Sequence, residues 1–295
     1  MLHLVDASYF IFRAYYSVAP DMAGRDGQAV NALYGYARFL GDLLERASPV
    51  HAAAAFDTSL ASGFRNRLYP AYKANREPAP PDLQHQFELC RELTVLLGVA
   101  DFASEEYEAD DLIGALAKRM RGHGLCSVLI TRDKDLAQLI AEGDHFWDYA
   151  GDLRLAYGDI EGRFGVRPER IADYLALTGD AVDNIPGVPG IGPKAAAALL
   201  GHFESLDDLY ARLDEVPALP MRGAARAAAL LAEHRDAAFL ARSLTRIACD
   251  LPMEVAPEAL ERRVPDLEGL DQFYDRAGFG TLLRRQARRI AERMS

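Results

Sequence analysis

Short apolar runs that stop at an acidic residue alternate along this chain with longer stretches whose apolar positions recur every three or four residues. The run LHLV at 2–5 ends at Asp6 and reads as a first strand, and SVLIT at 127–131 reads as a buried one. AAAAF at 52–56 ends at Asp57 and is short enough for a buried strand, although four alanines also suit a helix. Residues 29–46 carry apolar side chains at helical spacing and predict an amphipathic helix. Further helices are predicted over 82–97, after the proline run EPAPPD, and across EEYEADDLIGALAKRM at 105–120. Residues 58–81 lack clear periodicity and are rich in Arg and Tyr. The recurring order of strand, acid and helix argues for a parallel, wound sheet flanked by helices. From about residue 167 the pattern turns mostly helical, with Gly/Pro-rich joints at 185–193 and 217–223. The expectation is therefore an α/β body over 1–166 and a helical region over 167–295.

Composition narrows the class. At 295 residues, 50% hydrophobic and 26% charged, the chain is ordinary for a globular protein. No apolar run approaches the roughly 18–20 residues needed to span a bilayer, and Asp6 interrupts the N-terminal stretch where a signal peptide would be apolar. Cys90, Cys126 and Cys249 form no C-x-x-C pair, which argues against disulfides and zinc and fits a reducing cytoplasm. The histidines show no H-E-x-x-H spacing, and neither G-x-S-x-G nor a P-loop occurs. A net charge of −11 should repel phosphate. Two basic segments, 64–76 and 282–293, offset that field locally.

The acids carry the chemistry. Asp6 and Asp57 end strands, Glu108, Asp110 and Asp111 open a helix, Asp133 and Asp135 follow SVLIT, and Asp180 and Asp183 stand in TGDAVDN. Taken singly, each Asp is as readily a helix cap or a turn former. Together they would converge along the carboxyl edge of a parallel sheet. So many carboxylates would be forced to protonate unless cations held them. Oxygen-only ligand sets select hard ions such as Mg2+ or Mn2+, and two such ions can clamp a reacting phosphodiester.

Two further segments suggest a nucleic-acid substrate. In IPGVPGIGPKAAAALL, Gly190, Ile191 and Gly192 form a G-x-G turn ahead of an Ala-rich helix, with Lys194 in its first turn. Backbone N–H groups exposed at such a turn can dock a phosphate without reading sequence. A Gly-rich turn that merely joins two helices is the plainer alternative. In 64–76, Arg65, Arg67, Lys73 and Arg76 interleave with Phe64, Tyr69 and Tyr72, the composition of a single-strand platform or of a solvated basic loop.

Taken together, YKANREPAPPDL, YEADDLIGALA, ITRDKDLAQLI, DYLALTGDAVDNIPGVPGIGPKAA and FYDRAGFGTLLRR resemble, in order, segments of the 5′ nuclease (flap endonuclease) family. The likeness is to the 5′→3′ exonuclease domain of bacterial DNA polymerase I, in free-standing form with no linked polymerase. It implies a PIN/5′-nuclease-like sheet, a helical arch over about 64–97 and a helix-hairpin-helix at about 185–200. It also implies one metal group of Asp6, Asp57, Glu108, Asp110 and Asp111, and a second of Asp133, Asp135, Asp180 and Asp183. Lys73 and Arg76 match the family's basic pair at the scissile phosphate, Tyr72 its neighbouring aromatic, and Arg65 a further basic contact. Two or more Mg2+, replaceable by Mn2+, and K+ at the hairpin are the implied cofactors; branched or 5′-ended DNA is the implied partner of a monomer. Arg132 departs from the pattern, where a small residue such as glycine is common. The expected activity is a structure-specific 5′ nuclease that leaves 5′ phosphates, against two rivals: a catalytically weak branched-DNA binding protein of the same fold, and a PIN-type RNase.

Overall fold

A computed structural model describes residues 1–58 and 63–294. Its first half runs β1 (Leu2–Asp6), α1 (Ala7–Ser17), α2 (Asn31–Ala47), β2 (His51–Asp57), α3 (Phe64–Leu68), α4 (Pro81–Leu96), β3 (Ala100–Ser104), α5 (Ala109–Gly122) and β4 (Ser127–Ile130). Then come β5 (His145–Asp148), β6 (Leu153–Ala156) and the helices α6 (Tyr157–Phe164), α7 (Ile171–Thr178), α8 (Pro193–His202), α9 (Leu206–Ala211), α10 (Ala224–Glu233), α11 (Arg235–Thr245), α12 (Leu267–Arg276) and α13 (Thr281–Glu292). The sheet order is β3-β2-β1-β4-β5-β6, parallel throughout except for the antiparallel edge strand β6. The small alanines of β2 form a strand because it lies inside the sheet between β1 and β3, with both faces covered. Alternate residues go to opposite sides: Ala53 and Ala55 to one core, Ala52, Ala54 and Phe56 to the other.

The two faces are closed differently. On one, α5 packs on the sheet, and its apolar core continues unbroken into α7–α11. On the other lie α1, α2 and α4, joined by α12 and α13 returning from the far end of the chain. The stretch expected as one helical region at 167–295 thus divides between the two faces. The arch segment divides as well. Residues 64–80 hold the short α3 and turns, whereas α4 is a flanking helix that buries Leu83, Cys90 and Leu93 against α2 and β3. Among the described residues, no helix is long and apolar enough to cross a membrane.

Candidate active site

Neighbouring parallel strands bring their carboxyl ends to one edge. Asp6 sits at the end of β1 and caps α1: its Oδ1 accepts from the Tyr9 N–H at 3.1 Å, and its Oδ2 from the Thr131 hydroxyl at 2.8 Å. Asp57 ends β2, and its Oδ1 accepts from the Ala109 N–H at 2.9 Å, tying β2 to the start of α5. Glu108 and Asp110 stand at that helix start, and Asp133 caps the 3-10 turn Lys134–Leu139 that follows β4.

These acids strain one another. Burial pushes Asp6 up to about 7, helped by the charges of Asp57 and Asp133. Burial also lifts Asp110 well above the usual carboxylate range, with Asp133, Asp6, Asp57 and Glu108 adding repulsion. Asp135 is pushed up to about 8 by burial and then by Asp133, and its Oδ1 is buried without a hydrogen-bond partner. Asp133 is raised mainly by desolvation and then by Asp183, and its own charge acts on Asp6 and Asp110, so it links the two expected groups.

Asp180 and Asp183 stand on a turn between α7 and α8. Asp180 and Ile185 exchange backbone hydrogen bonds at 2.9 and 2.8 Å, closing a tight loop, and the Asp180 Oδ1 accepts from the Val182 N–H at 2.8 Å. The loop delivers Asp183 to the basic segment. The Lys73 N–H donates to the Asp183 carbonyl at 2.9 Å, which holds Lys73 at φ 53, a left-handed conformation costly for a side chain with a Cβ. The Lys73 ammonium then stands 2.9 Å from Glu108 Oε2 and 3.8 Å from Asp183 Oδ2, and Arg76 pairs with Asp183. Burial opposes the Lys73 charge, but Glu108, Tyr72 and Asp183 outweigh it and raise its pKa. Glu108 is lowered against burial by Lys73 and Arg65. Lys73, Arg76 and Asp57 line a groove of about 850 Å3 that continues along Pro78, Phe87 and Arg91.

Three expected assignments are corrected by burial. Asp111 is fully buried and Arg65 is 3% exposed. They form a two-pronged ion pair, with Arg65 Nη1 and Nη2 donating to Asp111 Oδ2 and Oδ1 at 2.6 and 2.8 Å. The Asp111 oxygens are therefore spent on Arg65 and on backbone N–H groups, and Arg65 is turned inward. Tyr72 is 3% exposed, so its ring offers no stacking face; its hydroxyl donates to Glu108 at 3.1 Å. Sequence reading also passed over Lys134, 3.8 Å from Asp180, and Thr131, which bonds both Asp6 and the Asp133 N–H. Their membership of the TRDKD run was the available signal. Arg132 points to the rim of the edge, Nε 3.4 Å from Asp148 and beside the Tyr9 hydroxyl.

The hairpin joins α7 to α8. Gly179 and Gly187 pass so close that a Cβ on Gly187 would lie 2.3 Å from the Gly179 nitrogen, which excludes any other residue there. Ile191 is buried as an anchor, Gly190 takes φ 82, and Gly192 and Lys194 are exposed at the start of α8.

As the side chains stand, no three His, Cys, Asp or Glu among the described residues converge on one point at ion-binding distance. The donor set nevertheless fits hard divalent cations: it is all oxygen, mutually repelling, and includes the orphaned Asp135 Oδ1. Asp6, Asp57, Glu108 and Asp110, with Asp133, Asp135, Asp180 and Asp183, are the residues able to hold them.

A parallel sheet with an acid-lined carboxyl edge and a glycine-turn helical annex defines the architecture of an α/β metal nuclease. The chain belongs to the 5′-3′ exonuclease family: its N-terminal resolvase-like domain matches residues 1–165 and its C-terminal SAM fold residues 166–268. It is 38% identical over 293 residues to DNA polymerase I of Rhizobium leguminosarum, covering 97% of this chain and 28% of that one. Against the thermostable DNA polymerase I of Thermus aquaticus it is 38% identical over 281 residues, covering 95% and 32%. The chain spans about a third of the length of these curated relatives. Its fold is similar to T5 5′-exonuclease solved with zinc (TM-score 0.67, 21% identity, 99% of this chain and 98% of that one). It is also similar to the catalytic core of Rad2 solved with a DNA substrate (TM-score 0.63, 16% identity, 100% and 92%).

Proposed function

We propose that this chain is a divalent-metal-dependent, structure-specific 5′ nuclease that hydrolyses DNA phosphodiesters at 5′ ends and flaps and leaves 5′ phosphates. One observation carries the reading: carboxylates from separate segments, Asp6 buried and Asp57, Glu108 and Asp110 half-buried, crowd one sheet edge beside a lysine held at positive φ. Mg2+, with Mn2+ as substitute, bound by the two acid groups would supply Lewis-acid stabilisation of charge on the attacking and leaving oxygens. Lys73 and Arg76 would donate to the non-bridging oxygens of the scissile phosphate, a task suited to preorganised cations. Tyr72 and Asp183 would keep Lys73 in place. The exposed start of α8, with Gly190, Gly192 and Lys194, would hold duplex backbone away from the chemistry. The same reading puts K+ at that turn and treats the protein as a cytoplasmic monomer. The test is cleavage of a 5′-flap DNA in Mg2+, with single-stranded, blunt-duplex and RNA-flap controls and a check for 5′-phosphate on the product. Binding without cleavage would make this a branched-DNA binding protein. Preference for the RNA flap would make it a PIN-type ribonuclease.

A further inference from the structure

A short strap, residues 244–248, carries no acid itself but bonds to the Arg65–Asp111 pair at the start of α5, to the turn after β4 and to α7. On one side it is gripped by the buried ion pair. Arg65 Nε donates to the Leu244 carbonyl at 2.8 Å and Nη2 to the Arg246 carbonyl at 3.0 Å, while Asp111 Oδ1 accepts from the Ala248 N–H at 2.8 Å. The same Asp111 accepts through Oδ2 from the Glu108 N–H at 3.1 Å, and Arg65 Nη1 lies 3.7 Å from Glu108 Oε2. The first acid group is thereby tied to the strap. On the other side Gln138 donates to the Thr245 carbonyl and to the Asp135 carbonyl, both at 3.0 Å, and accepts from the Ile247 N–H at 3.0 Å. That fixes the turn carrying Asp133 and Asp135. Finally the Thr245 hydroxyl donates to the Ala172 carbonyl of α7 at 2.9 Å, and α7 leads directly to Asp180 and the hairpin.

We propose that the strap 244–248, held by Arg65–Asp111 and Gln138, is the positioning joint that fixes the two acid groups relative to each other and so governs how tightly they take up divalent metal. Arg65, Asp111 and Gln138 are positioning residues that touch neither metal nor DNA. The physical reason is rigidity. A planar fork with its donors spent on one carboxylate and two carbonyls admits one geometry, and lysine cannot reproduce it. Groups of this kind around a metal centre typically change metal affinity or activity by about 10–100-fold when altered.

The inference rests on the metal-nuclease reading, and the test separates the two. Wild type, Arg65→Lys and Gln138→Leu are compared by calorimetric Mn2+ titration, by 5′-flap binding in Ca2+, by single-turnover cleavage against Mg2+ concentration, and by thermal melting. Failure of wild type to bind Mn2+ and cleave would sink the nuclease reading itself. With an active wild type, both variants should bind Mn2+ about 10-fold more weakly, need about 10-fold more Mg2+, and bind the flap within about twofold of wild type. Loss of flap affinity with unchanged Mn2+ binding would make Arg65 a DNA contact and overturn the joint. A lowered melting temperature with unchanged Mn2+ binding, or variants unfolded at 20 °C, would make it a folding element and overturn it equally.

Discussion

Two acids stand side by side at the start of α5, one fully buried and one half-buried, and they are compensated in opposite ways. Asp111 has a guanidinium on both oxygens and two backbone N–H donors besides. Asp110, beside it in sequence, faces Asp133, Asp6 and Asp57 and is pushed far up by burial and repulsion. One acid is neutralised within the fold, whereas the other repels its neighbours unless a cation is bound. For this adjacent pair, the missing countercharge marks Asp110 and not Asp111 as the candidate ligand.

Exchanging single oxygens for amides breaks this contrast most directly. Asp110→Asn should lower single-turnover cleavage on the order of 1,000-fold in Mg2+. It should also raise the metal-free melting temperature by about 2–4 °C, since a repelling charge is gone. Asp111→Asn should do the reverse to stability: Arg65 loses its countercharge, at about 3–5 kcal/mol, and melting falls by about 10 °C. If both variants shift melting in the same direction, the two acids are not different in kind.

Lys73→Ala sharpens the comparison from the cation's side. The ammonium is the counterion of Glu108 and Asp183, and it is proposed to meet the reacting phosphate. Single-turnover cleavage should fall about 100-fold while flap affinity in Ca2+ changes by less than about threefold. Equal losses in rate and affinity would assign Lys73 to binding alone.

The sequence displayed these acids because each ends an apolar run or opens a helix, and that placement needs only local pattern. It displayed the hairpin for the same reason. What it hid was pairing at a distance. Nothing near FRNR says that Arg65 turns inward to a carboxylate 46 residues on, or that the Tyr72 ring is buried with only its hydroxyl used. The strap 244–248 has no distinctive composition, since its part is played by backbone groups. β5 and β6 escaped notice because, unlike SVLI in β4, HFWD and LRLA are broken by His145, Asp148 and Arg154 and form no apolar run. β3 was missed because all five of its residues are only half-buried, so it shows no clear alternation.

The hairpin should respond in the opposite sense to the carboxylate edge. A Cβ at Gly192 would meet nothing within 4 Å, so a larger side chain can start there without displacing the fold. Gly192→Phe and Lys194→Ala should weaken branched-duplex binding by about three- to tenfold, equally for any sequence. Cleavage at saturating enzyme should stay within about twofold of wild type. A matching drop in the saturated rate would mean that the turn acts at the reacting phosphate.

Arg132 should give the smallest effect, and it tests where the substrate ends. Its side chain is 61% exposed, tethered at the rim through a single Nε approach to Asp148 and the Tyr9 hydroxyl. Most of its fork is left open to solvent, and it is absent from the charges that shape Asp6, Asp110 and Asp133. A guanidinium so exposed is free to meet a backbone phosphate at the rim. Arg132→Gly should therefore weaken flap binding about two- to threefold and reduce the salt slope by about one unit at most, with the saturated cleavage rate unchanged. Arg132→Lys should recover most of the affinity, because a rim phosphate needs charge more than a planar fork. A changed saturated rate in Arg132→Gly would place the guanidinium at the chemistry after all, and an unchanged salt slope would leave it an ordinary surface ion pair with Asp148.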